Sequence, residues 1–163
     1  MSLITLSRPE QEYILSGIQH DIRADGRACH DYRHITLETG VLSNTDGSAR
    51  LQLANTDILV GVKVDLGEPD HGKPNDGVVH FSVDCSASAS PLFEGRGGEV
   101  LSTELKMSLD RLIVKSKAFN TASLCILPKE KVWHLYVDVI VLMHGGNLHD
   151  SISLAVRAAL SAT

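Results

Sequence analysis

The sequence predicts an α+β domain, a mainly antiparallel sheet with helices packed on one face. Two observations carry this. Period-two strand patterns separated by turn residues crowd positions 34–85, and two amphipathic helical patterns follow, one before and one after a further apolar strand. The composition agrees: of 163 residues 43% are apolar and 21% charged, which is ordinary for a globular chain and too apolar for a mostly disordered one.

Along the chain, Ser7-Arg8-Pro9-Glu10 is a capping-box pattern with proline near the first helical position, so a helix is expected from Arg8 to Gln19 with Tyr13, Ile14 and Ile18 as its apolar side. The polar stretch Asp21 to Arg27, with its Asp25-Gly26 turn, reads as an ordered connector, and residues 1–30 are taken together as an N-terminal helix and connector. Strands are expected over His34–Glu38, Ala49–Asn55 and Asp57–Leu66, an antiparallel meander with turns at Asp46-Gly47-Ser48 and Asn55-Thr56; Asp46-Gly47 is the clearest hairpin signal. Glu68–Gly77, rich in Pro, Gly and charge, is a loop, and Val78–Cys85 resumes the alternation as a strand.

Phe93 to Gly98 leads into a helix expected over Glu99–Val114, whose continuous buried stripe would be Leu101, Leu105, Leu109 and Leu112. Leu124–Leu127 and Val132–Met143 form a hairpin around Pro128-Lys129-Glu130-Lys131, and the second strand is apolar enough to predict burial on both faces. The last helix is expected over Leu148–Leu160.

The formal net charge of −5 does not favour nucleic acid on average, but binding depends on where cations cluster. Arg96, within Gly95-Arg96-Gly97-Gly98, is a guanidinium on a glycine stalk that reaches a phosphate easily, although the loop matches no nucleotide-binding pattern. Lys106, Arg111, Lys115 and Lys117 are either the solvated face of an amphipathic helix or one wall of an RNA channel; no aromatic residues interleave them. The eight histidines include one pair four apart, His30 and His34, but form no Cys/His ligand set, so no metal site is expected. Cys29, Cys85 and Cys125 are widely separated and read as reduced thiols, the latter two as small core residues. Asp138, inside the apolar run Tyr136 to Ile140, is expected to be paired or hydrogen-bonded, as a structural or a site residue. No segment approaches a membrane span, and the N-terminus lacks a signal peptide pattern, so an intracellular, soluble protein is expected.

The stretch His144-Gly145-Gly146-Asn147-Leu148-His149-Asp150 joins the apolar strand to the last helix. Paired glycines at such a turn let backbone N–H groups and the helix dipole approach an anion. An Arg or Lys that would bind phosphate tightly is missing; Leu148 stands there.

Arg23-Ala24-Asp25-Gly26-Arg27, the strand entry Gly47 to Leu51 with its Asn55-Thr56 turn, and Val137-Asp138-Val139 running into Gly145-Gly146 together resemble the RNase PH family from about Asp21 onward. Within that family Phe93–Gly98 and His144–Asp150 look most like a ring subunit of the eukaryotic RNA exosome. The resemblance implies a first family domain over 31–163, with a fold like domain 2 of ribosomal protein S5. It implies a six-membered ring of RNase PH-like subunits, an RNA channel completed by RNA-binding cap subunits, no membrane, and work on rRNA maturation and RNA decay in nucleus, nucleolus and cytoplasm.

Phosphorolytic members hold phosphate with Gly-Gly-Ser/Thr-Arg-Thr. Set on Gly145-Gly146, this chain offers Asn147, Leu148 and His149 instead, and the acidic residues of active members come from a second half that follows the last helix. The resemblance therefore implies a non-catalytic subunit without cofactor, with Arg111, Arg96 and Lys106, in that order, as RNA contacts. The alternative is an active phosphorolytic 3′-to-5′ exoribonuclease completed by a partner subunit. Apolar surface left without the second half is expected to make the isolated chain self-associate or dissolve poorly.

Overall fold

The computed structural model describes residues 6–163; the first five residues of the segment 1–30, where the signal-peptide reading also begins, lie outside the described residues. The chain divides into two compact units, residues 1–33 and 34–163.

In the first unit, α1 spans Arg8–Gln19. The Glu10 carboxylate accepts from the Ser7 hydroxyl at 2.8 Å and the Ser7 amide at 2.7 Å, and these bonds hold its pKa below the ordinary value. On the apolar side of α1, Tyr13 is 75% and Ile18 50% exposed, while Ile14 is half-buried. Beyond it, Gly26 adopts φ +81° and its amide closes a turn on Arg23 O at 2.9 Å, as the Asp-Gly signal requires.

The second unit is a sheet backed by two helices. Its strands are β1 (Ile35–Thr39), β2 (Gly47–Leu53), β3 (Thr56–Gly67), β4 (Val78–Cys85), β5 (Cys125–Leu127) and β6 (Lys131–Met143), and its helices are α2 (Gly97–Leu109) and α3 (Leu148–Ser161). The order across the sheet is β1-β2-β3-β6-β4, with β5 added to β6. All pairs are antiparallel except β4 with β6. One core joins the inward residues of the strands, among them Leu51, Val60, Phe81, Val137 and Val139, to Leu105 and Leu109 of α2 and Ile152, Val156 and Ala159 of α3.

Several expectations from the sequence are corrected. Asp46-Gly47 is not a hairpin turn: Gly47 already pairs with Val62 in β2, and Gly40 to Asp46 make the connection. A Cβ at Gly47 would meet Ala159 O at 2.7 Å, so that glycine serves the close approach of α3. The β2–β3 turn is Ala54-Asn55, one residue earlier than expected, because Leu53 pairs with Thr56; Ala54 takes φ +51°. The second helix does not run unbroken to Val114. At Asp110–Lys115 it widens into a π-turn, with Ser116 N donating to Arg111 O at 3.1 Å. The widening shifts the helical phase, so Ile113 and Val114 pack on the core while Leu112 is 52% exposed.

β6 is buried on one face only. Leu135, Val137, Val139 and Val141 point inward, whereas Tyr136, Ile140 and Leu142 are about two-fifths exposed. Asp138 shares that outer face, opposite Gly61 and Ser82, and its carboxylate makes no hydrogen bond or ion pair among the described residues. Its exposure lets water solvate the carboxylate, which removes the need for the partner that a doubly buried strand would demand. Cys85 is buried, and burial pushes its thiol pKa up; Cys125 is only half-buried.

Candidate functional site

β4 and β6 run parallel, and each is followed by a helix that returns over the same face, α2 after β4 and α3 after β6. The turns leading into both helices therefore lie at the carboxyl ends of the parallel pair, the end where open α/β sheets collect ligands. His144 links the two turns. Its amide donates to Ala89 O at 3.2 Å, its ring lies 5.1 Å from the Phe93 ring, and its Nδ1 is buried without a hydrogen-bond partner among the described residues.

The glycine pair is built into the fold at atomic detail. A Cβ at Gly145 would meet the backbone carbon and Cβ of Asn55 at 2.7 Å, and Gly146 takes φ +99°. Thr56, fully buried, then spans the turn: its hydroxyl accepts from Gly145 N at 3.1 Å and donates to Gly146 O at 2.8 Å. The amide that could have met an anion is thereby used inside the protein. Asn147 precedes α3 in the left-handed region, φ 54° and ψ 47°, and its carbonyl accepts from the Ser151 amide and hydroxyl. Leu148 is 5% exposed and belongs to the hydrophobic core.

A carboxylate occupies the first turn of each helix, and only at α2 does a cation, Arg96 just before the helix, stand against it. Asp150 lies in the first turn of α3 and Glu99 in the first turn of α2, where each carboxylate already meets the positive end of its helix dipole. Between β4 and α2 a cleft of about 620 Å³ is lined by Asp84, Cys85, Ser86, Glu99, Ser102 and Thr103 together with Phe93. Its two carboxylates and absence of Lys or Arg make it unsuited to phosphate. Among the described residues no group of three or more His, Cys, Asp or Glu is set to hold a metal ion. No helix there is long and apolar enough to cross a membrane.

The three residues singled out for RNA are not brought together. Arg96 is the residue just before α2, Lys106 lies in its last turn, and Arg111 is in the π-turn. All three are exposed, and none is in an ion pair among the described residues. From Arg96 to Arg111 they string along about 20 Å of helix. Sequence reasoning missed the role of Thr56, which depends on contact across 90 positions; its membership of the Asn55-Thr56 turn signal was the only local hint.

Comparison with known proteins gives a consistent picture. The RNase PH family model, 3′ exoribonuclease family, domain 1, matches residues 31–163. The exosome complex component Rrp42 of Methanocella arvoryzae is 39% identical over 163 residues, covering 100% of this chain and 63% of the relative. The exosome complex component RRP45 of Danio rerio is 40% identical over 157 residues, covering 96% of this chain and 39% of the relative. A solved Archaeoglobus fulgidus exosome with RNA bound to the active site superposes with a TM-score of 0.82 at 37% identity, over 94% of this chain and 60% of that one. The chain thus spans less than two thirds of the length of each of these relatives.

Proposed function

The chain belongs to the 3′ exoribonuclease family through that family's first domain, and from this premise we propose that it is a non-catalytic structural subunit of an RNA exosome core ring. One observation carries the non-catalytic part. At the turn where phosphorolytic members place an anion-binding arginine, Leu148 is sunk in the core, and the Gly145 amide is taken by Thr56. A phosphate there would find no charge-assisted donor and no free Gly145 amide, and it would face Asp150.

In this reading the other RNase PH-like ring subunits and the RNA-binding cap subunits are its partners, and RNA passes along the ring toward a separate nuclease. Arg111, Arg96 and Lys106 contribute cations to that path. Their spacing along one helix suits successive phosphates better than a single anion pocket. The work is 3′-to-5′ RNA processing and degradation, including rRNA maturation, in the nucleus, nucleolus and cytoplasm. The likeness to proteins named exosome complex components supports the ring role.

The test is a reconstitution. The chain is mixed with RNase PH-like ring partners, and assembly mass and phosphate-dependent release of nucleoside diphosphates from labelled RNA are measured, for the chain alone and in the ring. The expected result is entry into a ring and no release by the chain alone. Failure to join any ring would sink the ring reading, and release that vanishes when phosphate is withheld, by the chain alone, would sink the non-catalytic reading in favour of the enzyme.

A further inference from the structure

The loop at residues 68–77 faces the end of the α2 and π-turn helix across a cleft of about 510 Å³, lined by Lys73, Asp76, Lys115, Lys117, Phe119 and Asn120 among others. Its walls are tied by backbone bonds. Gly77 N donates to Thr121 O at 2.9 Å, Lys129 N to Pro74 O at 2.9 Å, and Phe119 N to Ile113 O at 3.2 Å. A Cβ at Gly77 would meet Trp133 O at 2.8 Å, so that loop end is packed hard against β6.

The charge of the cleft is only partly used inside the protein. Lys115 pairs with Asp110 at 3.0 Å, whereas Lys73 and Lys117 enter no ion pair among the described residues. Asp76 is the one carboxylate in the lining, and Lys129 stands beside Pro74 at the rim. Cations at a helix C-terminus commonly offset its dipole, which accounts for Lys115 and Lys117. That explanation does not reach Lys73, which comes from a separate loop, or Phe119, an aromatic ring set among lysines and only half-buried. Asn120 Oδ1 accepts from Ala122 N at 3.2 Å, which leaves its side-chain NH₂ as a donor. Lys117 moreover holds φ +59°, a conformation in which glycine would be easier.

We propose that this cleft takes one nucleotide of single-stranded RNA, its phosphate on Lys73 and Lys117 and its base against Phe119. The volume is that of a small-molecule site, and a cationic groove with a stacking ring is the arrangement that binds single strands without reading their sequence. The site lies apart from Arg96, Lys106 and Arg111 in sequence and adds a second contact to the RNA path; it rests on the proposed RNA-handling role.

The test uses the full chain and a labelled oligouridine carrying 4-thiouridine, with an inorganic polyphosphate chain as a base-free probe. Binding is followed by anisotropy across a salt series. Lys117→Gly removes charge while keeping the left-handed backbone, and Lys73→Ala removes the second cation. Together they are expected to lower the slope of log affinity against log salt by about 0.7, the value for one phosphate of a single strand. Phe119→Leu is expected to weaken oligouridine about tenfold and leave polyphosphate unchanged. Photo-crosslinks are expected in the peptide that contains Phe119. An unchanged slope in the double variant, or crosslinks confined to peptides bearing Arg96, Lys106 or Arg111, overturns this site and leaves the ring reading standing. Equal weakening of both probes by Phe119→Leu overturns the stacking role. No RNA binding at all by the wild-type chain at low salt overturns the site together with the RNA path, while ring assembly is still scored separately.

Discussion

Thr56 shows how a single hydroxyl decides what the glycine turn can do. With both its donor and its acceptor satisfied by the backbone of Gly145 and Gly146, it converts a turn shaped for an anion into a closed internal joint. Thr56→Val keeps the shape but removes the hydrogen bonds to the part-buried Gly145 amide and Gly146 carbonyl, so stability is expected to fall by about 1 kcal/mol in chemical denaturation. Gly145→Ala tests the other side of the joint. A methyl there must displace Asn55, which sits at 2.7 Å, and a loss of about 1–3 kcal/mol is expected, whereas no loss would mean the hairpin turn yields freely. That hairpin is itself clamped by Asp57, which accepts from Arg50 Nε at 3.1 Å, a terminal Arg50 nitrogen at 2.7 Å and Gln52 at 3.2 Å. The Arg50 hydrogen bonds hold the Asp57 carboxyl below its ordinary value, with the Gln52 bond adding to them and burial opposing. A carboxyl depressed in the folded state binds protons more readily when unfolded, so its stabilisation is present at neutral pH and lost as pH falls through the folded value. The destabilisation by Asp57→Asn, about 1 kcal/mol at neutral pH because Arg50 is partly exposed, is therefore expected to shrink on acidification.

At the scale of elements, α3 carries the difference between a phosphate-binding helix start and this one. Leu148 points into the core, so Leu148→Arg exchanges a packed side chain for a charge that must be buried or expelled with its helix turn. A loss of about 2–5 kcal/mol is expected, with no gain of phosphate-dependent activity; activity gained at unchanged stability would show the turn can be refitted. The end of α2 tests a separate idea. Lys117 is left-handed, and Lys117→Gly is expected to raise stability by up to about 1 kcal/mol in the same variant that weakens RNA binding, a pairing that a merely structural lysine would not give. Legibility from sequence divides along the same lines. Arg8–Gln19, Val78–Cys85 and the start of α3 were readable because caps and periodicity act within a few residues. The π-turn was not, since Leu101 to Leu112 keep a perfect helical spacing and only the packing of Ile113 and Val114 selects the wider turn. β6 misled for a related reason. Tyr136, Ile140 and Leu142 are apolar, but no layer among the described residues covers them, and hydrophobicity alone cannot report what lies opposite a strand. At the candidate site the turn and the missing arginine were legible from Gly145-Gly146 and Leu148, whereas the role of Thr56 and the meeting of Phe119 and Lys73 in one cleft depend on distant segments coming together.

For the molecule as a whole, the register that sequence could not reveal sets the mechanical order of the second unit. β6 follows β5 in the chain yet inserts between β3 and β4, so the two long strands, β3 with 12 residues and β6 with 13, form the centre. Each pairs on both sides, and their inward residues, Ile58, Val60 and Val62 with Val137, Val139 and Val141, are at most 1% exposed. β1 lies at the free edge with one partner and holds Ile35 and Leu37 at 39% and 48% exposed. Local opening costs least where few buried contacts break, so amide exchange is expected to be graded by position in the sheet. The slowest amides should lie at 58–62 and 137–141 and approach the free energy of global unfolding, while those of β1 should exchange through local fraying at low denaturant. The joint at Thr56 lies at the end of this centre, which places the glycine turn on the most persistent part of the domain. A hydrogen-exchange series in rising denaturant checks the ranking. If β1 amides prove as slow as those of β6, the sheet opens as one unit, and the turn owes its rigidity to the whole domain instead of to the two central strands.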